Sequence, residues 1–253
     1  MLEVAKKAAR EAGKLVRALH GSKLEVKVKG KHNDIVSEAD LASEEKIFQI
    51  IGSAFPNHNF LSEEAGSKDN KSDFTWCIDP LDGTHSFVAG APIFSVSIGL
   101  LKNNQPYLGV VNCPALNLLF WAKKGTGAFL NGKRISVSQE RNLGLSWVGC
   151  DLGYNHLTKA VPKILPSIIK GARYTPMYGC ASFSCCMMAA GALAAYVYTA
   201  NVWDFSAGAI IIEEAGGKIT NYQGRPIDWT QDRIDLLASN GLIHDKILSL
   251  INP

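Results

Sequence analysis

The hydrophobic positions of the first twenty residues recur at helical spacing. Apolar side chains fall every three or four positions, with lysine, arginine and glutamate between them, at Leu2, Ala5, Ala8, Ala9, Ala12, Leu15, Val16 and Leu19. This pattern predicts an amphipathic helix over residues 2–20. Residues 24–29 then alternate between apolar and charged, which predicts a half-exposed strand. A hairpin is expected, with residues 29–33 at its mobile tip and Ile35 and Val36 in the returning strand.

A second helix and a series of short strands follow. Residues 41–55 carry Ile47, Ile50 and Ile51 on one helical face, directly after Asp40. Asp40 either caps this helix or faces a site, and the pattern leaves both roles open. A polar loop is expected at residues 67–72. Short apolar segments separated by turn residues predict strands at residues 59–61, 74–78, 94–101, 106–113, 118–122 and 128–130. The last four of these form a meander, so the first sheet is expected to be antiparallel.

The second half of the chain alternates strand and helix. Strands are predicted at residues 146–150, 173–178, 195–199, 218–221 and 236–239. Helices are predicted at residues 157–170, 179–193, 206–215 and 245–251, and Glu213 and Glu214 are expected at an exposed helix end. The polar segment 134–142 separates the two patterns. We therefore expect an α+β half over residues 1–140 and an α/β half over residues 141–253 that completes the site, packed as one compact unit.

Composition narrows the class of protein. The chain has 253 residues and is 47% hydrophobic, enough for a sizeable core. Lys plus Arg number 26 against 23 Asp plus Glu, an excess too small to indicate nucleic-acid binding, so a small-molecule partner is expected. No apolar stretch is long enough for a membrane span, and the first twenty residues lack the apolar core of a signal peptide. Six cysteines without a CxxC pair are typical of reduced core thiols in a cytoplasmic protein.

Candidate chemistry is concentrated in residues 79–84, Asp-Pro-Leu-Asp-Gly-Thr. Asp79 is predicted to end a buried strand and Asp82 to open a helix. Two carboxylates three residues apart, stiffened by Pro80 and without a nearby lysine or arginine, favour a hard cation. Main-chain N–H groups at a helix start favour a phosphate beside it. The alternative interpretation is a strand, an aspartate turn and a capped helix without a ligand.

Other acidic residues become candidates for the same site only when they are considered together with residues 79–84. Glu63 and Glu64 follow the strand at residues 59–61, and such a pair is ordinarily a solvated loop. The strand from Phe74 is expected to lie beside that strand, which would bring Glu63 towards Asp79. Asp204 follows Trp203 at a helix start, where it is either an N-cap or a buried acid that needs a partner such as a metal. The histidines are scattered without zinc-site spacing, and His85 alone is beside the candidate site.

The chain contains three motifs in an order that resembles the inositol monophosphatase family of magnesium-dependent, lithium-sensitive phosphatases. They are Ser-Glu-Glu at residues 62–64, Ile-Asp-Pro-Leu-Asp-Gly-Thr at 78–84, and Trp-Asp-Phe-Ser-Ala-Gly at 203–208 with Glu-Ala-Gly-Gly at 214–217. The similarity extends over nearly the whole chain. It implies a layered αβαβα sandwich of the inositol monophosphatase and fructose-1,6-bisphosphatase type, and a homodimer.

The resemblance also implies the site residues. A first Mg²⁺ would be held by Glu63, Asp79 and the carbonyl of Leu81, and a second by Asp79, Asp82 and Asp204. A third, loosely held Mg²⁺ near Glu63 is implied, and Mn²⁺ would suit the same oxygen ligands. Substrate contacts are implied for Asp82, Gly83, Thr84, Gly179, Cys180, Ala181 and Asp204, and auxiliary roles for Asp34, Asp40 and Lys29.

The implied reaction is direct hydrolysis of a phosphate monoester by water, oriented by Thr84 and Glu63, without a phosphoenzyme. A small polyol or sugar phosphate is the expected substrate. Inositol-preferring members carry a glutamate shortly before the Trp-Asp pair, whereas this chain has Tyr-Thr-Ala-Asn at residues 198–201. The resemblance therefore leaves open inositol 1-phosphate, fructose 1,6-bisphosphate, 3′-phosphoadenosine 5′-phosphate and histidinol phosphate. A non-enzymatic partner of the transcription and RNA machinery and a purely structural cation site are the competing hypotheses.

Overall fold

A computed structural model describes residues 1–23, 25–29, 34–152 and 161–252. Within these ranges the helices are α1 (Leu2–Leu19), α2 (Glu38–Ala54), α3 (Thr84–Val88), α4 (Val161–Gly171), α5 (Ala181–Ala189), α6 (Val202–Glu214) and α7 (His244–Ile251). The strands of the first half are β1 (Val26–Lys29), β2 (Asp34–Ser37), β3 (Asn59–Ser62), β4 (Gly66–Lys68), β5 (Phe74–Asp82), β6 (Ser95–Lys102), β7 (Gln105–Cys113), β8 (Leu118–Lys123), β9 (Ala128–Leu130) and β10 (Lys133–Ile135). Those of the second half are β11 (Val148–Cys150), β12 (Ala195–Asn201), β13 (Lys218–Thr220) and β14 (Arg233–Ser239).

The described strands form a hairpin and two larger sheets. Strands β1 and β2 pair as the predicted antiparallel hairpin, while its tip, residues 30–33, lies outside the described residues. The larger sheet has the order β10-β9-β8-β7-β6-β5-β3-β4, and the smaller has the order β11-β12-β14-β13. From β5 to β10 neighbouring strands are antiparallel, as the predicted meander requires. Strand β3 is parallel to β5.

Five layers of alternating helix and sheet build the molecule. Helices α1 and α2 bury residues such as Ala12 and Ile47 against Trp76 and Ile98 of the larger sheet. Helices α5 and α6 lie between the two sheets and form the central apolar core. Helices α4 and α7 cover the other face of the smaller sheet. The arrangement confirms the predicted αβαβα sandwich.

Helix α6 packs closely on the larger sheet because glycines face it. A Cβ added at Gly109 in β7 would lie 2.3 Å from the carbonyl oxygen of Ala207 in α6, and one at Gly99 in β6 would lie 2.3 Å from Ser206 Oγ. Only a residue without a side chain permits that separation. This packing fixes the position of the first turn of α6, which carries Asp204, relative to β5 and β6.

Several predicted boundaries were wrong. Strand β5 does not stop at Ile78 but continues to Asp82. Residues 173–178 form no strand, and Tyr174 makes only an isolated bridge with Trp147. Helix α5 ends at Ala189, short of the predicted residue 193, since the chain turns at Gly191 with φ +80°. The predicted helix at 157–170 corresponds to α4, although residues 157–160 lie outside the described residues.

Two short strands were missed because their sequences are polar. Strand β4 overlaps the start of the predicted polar loop at residues 67–72, and β10 lies where the meander was expected to end. They form the two edges of the larger sheet, and an edge strand has only one neighbour and needs little apolar character.

Glu214 was also assigned incorrectly. Glu213 is exposed as expected. Glu214, however, accepts hydrogen bonds from the main-chain N–H groups of Gly125 at 2.7 Å and Gly127 at 2.6 Å. Its carboxylate therefore holds the turn between β8 and β9 against the end of α6.

The cysteines agree with the prediction of core thiols. All six cysteines are buried and unpaired with one another. No helix in the described ranges is both long enough and apolar enough to span a membrane.

Candidate active site

One cavity of about 470 Å³ collects most of the residues singled out from the sequence. Four acidic side chains, Glu63, Asp79, Asp82 and Asp204, lie on its wall. The predicted substrate contacts Gly83, Thr84, Gly179, Cys180 and Ala181 line it too, together with Leu81 and His85. The remaining lining residues are Asp151, Leu152, Met177, Tyr178, Tyr198, Ala200, Asn201 and Arg233.

The parallel pairing of β3 and β5 places Glu63 beside Asp79. Ser62 at the end of β3 is in register with Ile78, and the Glu63 N–H donates to the Ile78 carbonyl at 3.1 Å. The carboxyl ends of parallel neighbours lie at the same edge of a sheet. Both acids therefore face the cavity from one sheet edge, as the sequence predicted.

An irregularity in β5 shapes the segment from Asp79 to Asp82. Pairing with β6 shifts register between these two residues. The Leu81 N–H donates to Asp79 Oδ1 at 3.0 Å, and the Leu81 carbonyl accepts from the Thr84 hydroxyl at 2.8 Å. A bulge of this kind turns successive residues out of the regular ladder, so a main-chain carbonyl and two carboxylates lie close together.

Gly83, not Asp82, precedes the short helix α3. It has φ +85°, a left-handed conformation, and a Cβ there would lie 2.9 Å from the Ile93 carbonyl and 3.1 Å from Cys180 Cβ. The prediction that Asp82 opens the helix was wrong, because the left-handed turn at Gly83 separates strand from helix.

Asp82 instead caps the neighbouring helix α5. Its carboxylate accepts from the Ser182 N–H and the Ser182 hydroxyl, each at 2.6 Å, and from the Ala181 N–H at 3.2 Å. Burial raises the pKa of Asp82, while these hydrogen bonds oppose the rise. The contact brings Gly179, Cys180 and Ala181 to the cavity from a segment about a hundred residues away.

Asp79 and Asp204 lie on the cavity wall and have raised pKa values. Asp79 is buried and Asp204 is half-buried. Burial raises the pKa of both carboxyl groups well above the ordinary value, and the neighbouring charges of Glu63 and Asp82 raise them further. Asp204 Oδ2 also accepts from the Asn201 N–H at 2.7 Å, so Asp204 caps α6 from its third position and faces the cavity as well.

Lys29 reaches the site from the hairpin. Its ammonium group contacts Glu63 Oε1 at 2.6 Å and also pairs with Glu64. Burial disfavours the charged ammonium, but the two glutamates together raise the pKa of Lys29. Glu64 is thus not a solvated loop residue, since it faces Lys29.

Asp40 takes both of the roles left open by the sequence. Its Oδ2 accepts from the Ser37 N–H at 2.8 Å and the Ser37 hydroxyl at 2.6 Å, which completes a capping box at the start of α2. Its Oδ1 accepts from the Thr84 hydroxyl at 3.1 Å. For Asp34, the other auxiliary residue, the backbone belongs to β2, and the side chain is outside the described residues.

The carboxylate groups of the cavity are chemically suited to bind a hard divalent cation. Their oxygen atoms are the donors that Mg²⁺ and Mn²⁺ prefer, and a cation would relieve the repulsion that raises the pKa of Asp79 and Asp204. Among the described residues, however, no three His, Cys, Asp or Glu side chains are grouped to hold a metal as they stand. Asp82 is turned towards Ser182 and Glu63 towards Lys29.

Sequence reasoning missed two charged residues of the cavity. Asp151 follows β11 and accepts from the Gly179 N–H at 2.8 Å and the Tyr196 hydroxyl at 2.7 Å. Its position at a strand end was a usable signal, as it was for Glu63. Arg233 begins β14, and no local pattern distinguishes it from the other arginines of the chain.

Comparisons with known proteins agree with this geometry. The sequence model described as the inositol monophosphatase family matches residues 1–252. A fructose-1,6-bisphosphatase/inositol-1-monophosphatase of Aquifex aeolicus is 37% identical, with 98% of this chain and 94% of that protein covered. Inositol monophosphatase 2 of Solanum lycopersicum is 35% identical, with 99% and 96% covered.

A solved structure has a similar fold over nearly the whole length of this chain. The crystal structure of the extragenic suppressor protein suhB from Bartonella henselae superposes with a TM-score of 0.92 at 29% identity, with 98% of this chain and 97% of that chain covered. A family match over residues 1–252 and relatives above one-third identity together leave one conclusion. The chain belongs to the inositol monophosphatase family, whose members are phosphatases that hydrolyse phosphate monoesters.

Proposed function

We propose that this chain is a Mg²⁺-dependent phosphatase that hydrolyses the phosphate monoester of a small polyol or sugar. One observation carries the proposal: Glu63, Asp79, Asp82 and Asp204, from three separate segments, face one cavity beside the main chain of Gly83 and Thr84. The volume of about 470 Å³ is in the range of small-molecule sites.

The proposed cation ligands are oxygen atoms of five residues. Glu63, Asp79 and the Leu81 carbonyl would hold one Mg²⁺, and Asp79, Asp82 and Asp204 would hold a second. When bound, the ions supply charge that lowers the pKa of the attacking water and neutralises the phosphate. A third ion beside Glu63 would have to displace the Lys29 ammonium, which now contacts that carboxylate.

Thr84 and Glu63 are proposed to orient the attacking water. The single hydrogen of the Thr84 hydroxyl is shared between the Leu81 carbonyl at 2.8 Å and Asp40 Oδ1 at 3.1 Å, so the oxygen would accept a hydrogen bond from the water. Cys180 is the thiol on the cavity wall, and burial raises the pKa of that thiol well above its ordinary value. A thiol that stays protonated is a poor nucleophile, which favours attack by water over a covalent intermediate.

The phosphate and the alcohol are assigned to different parts of the wall. The main-chain N–H groups of Gly83 and Thr84 would donate to the phosphate oxygens. The alcohol would lie against Gly179 and Ala181, whose backbone is held by Asp151 and Asp82. Rigid attachment of these segments keeps the ester in one orientation.

A panel of phosphate monoesters tests the function. We expect phosphate release from at least one sugar or polyol phosphate with Mg²⁺, loss of release after chelation, and inhibition by Li⁺. Mn²⁺ is expected to substitute in part. Tight Mg²⁺ binding without phosphate release from any ester would contradict the proposal and favour a structural cation site or a binding role.

Asp82→Asn tests the assignment of the second cation. We expect kcat/KM to fall at least a hundredfold, because one charged oxygen donor is lost while Asn can still accept from Ser182. Asp73→Asn is the matched control, since Asp73 is exposed at the other end of β5. Full activity of Asp82→Asn at saturating Mg²⁺ would disprove the assignment.

The proposal includes a homodimer. The rings of Trp147 and Tyr174 pack 4.8 Å apart between centroids, and both residues are about half exposed beside β11. Aromatic side chains left on a surface favour a contact with another protein chain. Light scattering on the eluted protein should give twice the mass of one chain, and a monomer at micromolar concentration would contradict this assembly.

A further inference from the structure

Helix α2 has polar side chains on the face that it buries. Asp40, Ser43 and Glu44 are three and four residues apart, so they lie on one side of the helix. The same side continues with Ile47 and Ile51, which belong to the core on the larger sheet. All three polar residues are buried. Buried polar groups need hydrogen-bond partners, and each of these three has a partner on a segment that carries the candidate active site.

Glu44 holds the segment that carries Glu63. Its Oε1 accepts from the Ser62 hydroxyl at 2.5 Å and from the Ala65 N–H at 3.0 Å. These two donors lie on either side of Glu63 and Glu64 in the sequence. One carboxylate oxygen therefore connects both ends of this short segment to α2, and this limits the positions that the backbone of Glu63 can adopt.

Ser43 holds the bulge of β5. Its hydroxyl donates to the Pro80 carbonyl at 2.6 Å. The N–H at the other side of the same peptide unit, that of Leu81, donates to Asp79 Oδ1 at 3.0 Å. Because a peptide unit is planar, these two hydrogen bonds fix its orientation. The next carbonyl along the chain is that of Leu81, a proposed cation ligand, so its direction depends on the contact with Ser43.

A purely structural role is the competing explanation, because the buried polar groups of a loop and a bulge need partners in any protein. The two contacts, however, act on the same part of the site. Glu44 holds the backbone of Glu63, Ser43 holds that of Leu81, and both of the residues held are proposed ligands of the first Mg²⁺. Neither Ser43 nor Glu44 is among the residues that line the cavity. Both therefore act through other residues.

We propose that Glu44 and Ser43 are positioning residues that set the affinity of the site for its first cation. Glu44 does so through Glu63, and Ser43 does so through the Leu81 carbonyl. The inference rests on the proposed function and adds to it two residues of α2 that do not touch the ion. Changes to residues that orient metal ligands typically weaken metal binding about 10- to 100-fold.

Calorimetric titration of Mg²⁺ into the metal-free protein measures the effect. We expect Glu44→Ala to raise Kd for Mg²⁺ tenfold or more at one of the two proposed sites. Glu44→Gln should stay within about threefold of wild type, because the amide oxygen of Gln can accept both hydrogen bonds. The matched controls are Glu45→Ala and Glu45→Gln, since Glu45 is the next residue of α2 and is exposed.

Ser43→Ala tests the second contact, and it decides on the inference if Glu44→Ala does not fold. The change leaves the Pro80 carbonyl without its donor, and we expect Kd for Mg²⁺ to rise about threefold to tenfold. Ser53→Ala is the control, because Ser53 is exposed in the last turn of the same helix. Wild-type affinity in every folded variant at positions 43 and 44 would overturn the inference.

A double variant separates positioning from general stability. If Glu44 acts through Glu63, Glu44→Ala should have little further effect on Kd in Glu63→Gln protein. An equal loss of affinity in both backgrounds would overturn this role. A merely structural role lowers Tm of the metal-free protein and leaves Kd of the folded protein unchanged, which would also contradict the inference.

Failure of the proposed function gives a different result. Wild-type protein that binds Mg²⁺ but releases no phosphate from any ester of the panel contradicts that function, and the Kd values still decide on Glu44 and Ser43. Wild-type protein that binds no Mg²⁺ would overturn both proposals.

Discussion

The paired carboxyl groups of Asp79 and Asp204 show a conflict between stability and function at single residues. Asp79 is buried and Asp204 half-buried in the cavity that Glu63 and Asp82 also line, and burial together with mutual repulsion raises the pKa of each. A carboxyl group with a raised pKa in the folded state binds protons that the unfolded chain releases. The metal-free protein therefore loses stability as the pH rises above the ordinary aspartate range.

Asp204→Asn should stabilise the metal-free protein. Loss of one acidic group from the cavity is expected to raise Tm in the presence of a chelator at pH 7, by about 2–4 °C for each kcal/mol gained, and to flatten the decrease of Tm as the pH rises above the ordinary aspartate range. Calorimetry on the two proteins measures both effects.

Mg²⁺ should stabilise the wild-type protein but not the Asp204→Asn variant. Mg²⁺ is expected to raise Tm of the wild-type protein and to have little effect on Asp204→Asn, because binding to the folded state stabilises it. Asp73→Asn should behave as wild type. A lower Tm for Asp204→Asn without metal would show that Asp204 is needed chiefly as a cap for α6.

At the scale of elements, the contact between α6 and the larger sheet decides the geometry of the site. Helix α6 carries Asp204, and β5 carries Asp79 and Asp82. The helix lies against the sheet at Gly109, where its backbone leaves no room for a Cβ. The distance between Asp204 and the β5 carboxylates thus depends on Gly109, which lies outside the candidate metal site.

Gly109→Ala should be destabilising. The added Cβ would lie 2.3 Å from the Ala207 carbonyl oxygen, and relief requires the backbone of α6 to shift. We expect a loss of about 2–3 kcal/mol in the free energy of unfolding, measured by urea titration, and a lower kcat.

Gly52→Ala is the matched control for an added methyl group. Gly52 lies in α2, and a Cβ there meets nothing within 4 Å. Alanine in a helix is favoured over glycine, so this variant should gain about 0.5 kcal/mol. Equal effects at Gly52 and Gly109 would contradict the role of close packing.

At the scale of the whole molecule, His244 links global stability to pH. It is buried between the Thr220 hydroxyl at 2.9 Å and the Ser239 hydroxyl at 2.7 Å, where it joins α7 to the smaller sheet. Burial lowers the pKa of His244 to about 4, from an unfolded value near 6.5. Between these values the unfolded chain binds a proton that the folded chain does not.

Acidification from pH 6.5 to 4 should therefore remove about 3 kcal/mol of unfolding free energy through this residue. His244→Gln keeps a polar side chain that does not titrate, so its stability should fall less steeply over that interval. Urea titrations at pH 4, 5, 6 and 7 measure the difference. Parallel curves for the two proteins would mean that His244 has the same pKa in the folded and unfolded states.

The local elements and the main candidate residues could be predicted from the sequence. Helix α1, the meander β6 to β9 and the three acidic motifs follow from periodicity, turn residues and residue type, which act over a few positions. The same reasoning misplaced the end of β5, because a bulge and a left-handed glycine depend on pairing with β6 and contact with Cys180.

Contacts between distant side chains could not be predicted in the same way. Asp82 binds the Ser182 N–H across 100 positions of sequence, Lys29 reaches Glu63 from the hairpin, and Arg233 enters the cavity through its register with Asn201. No local pattern encodes such contacts, because they depend on how the layers pack. The sequence named the acids of residues 79–84, and the packing of α6 on the larger sheet brought Asp204 to them.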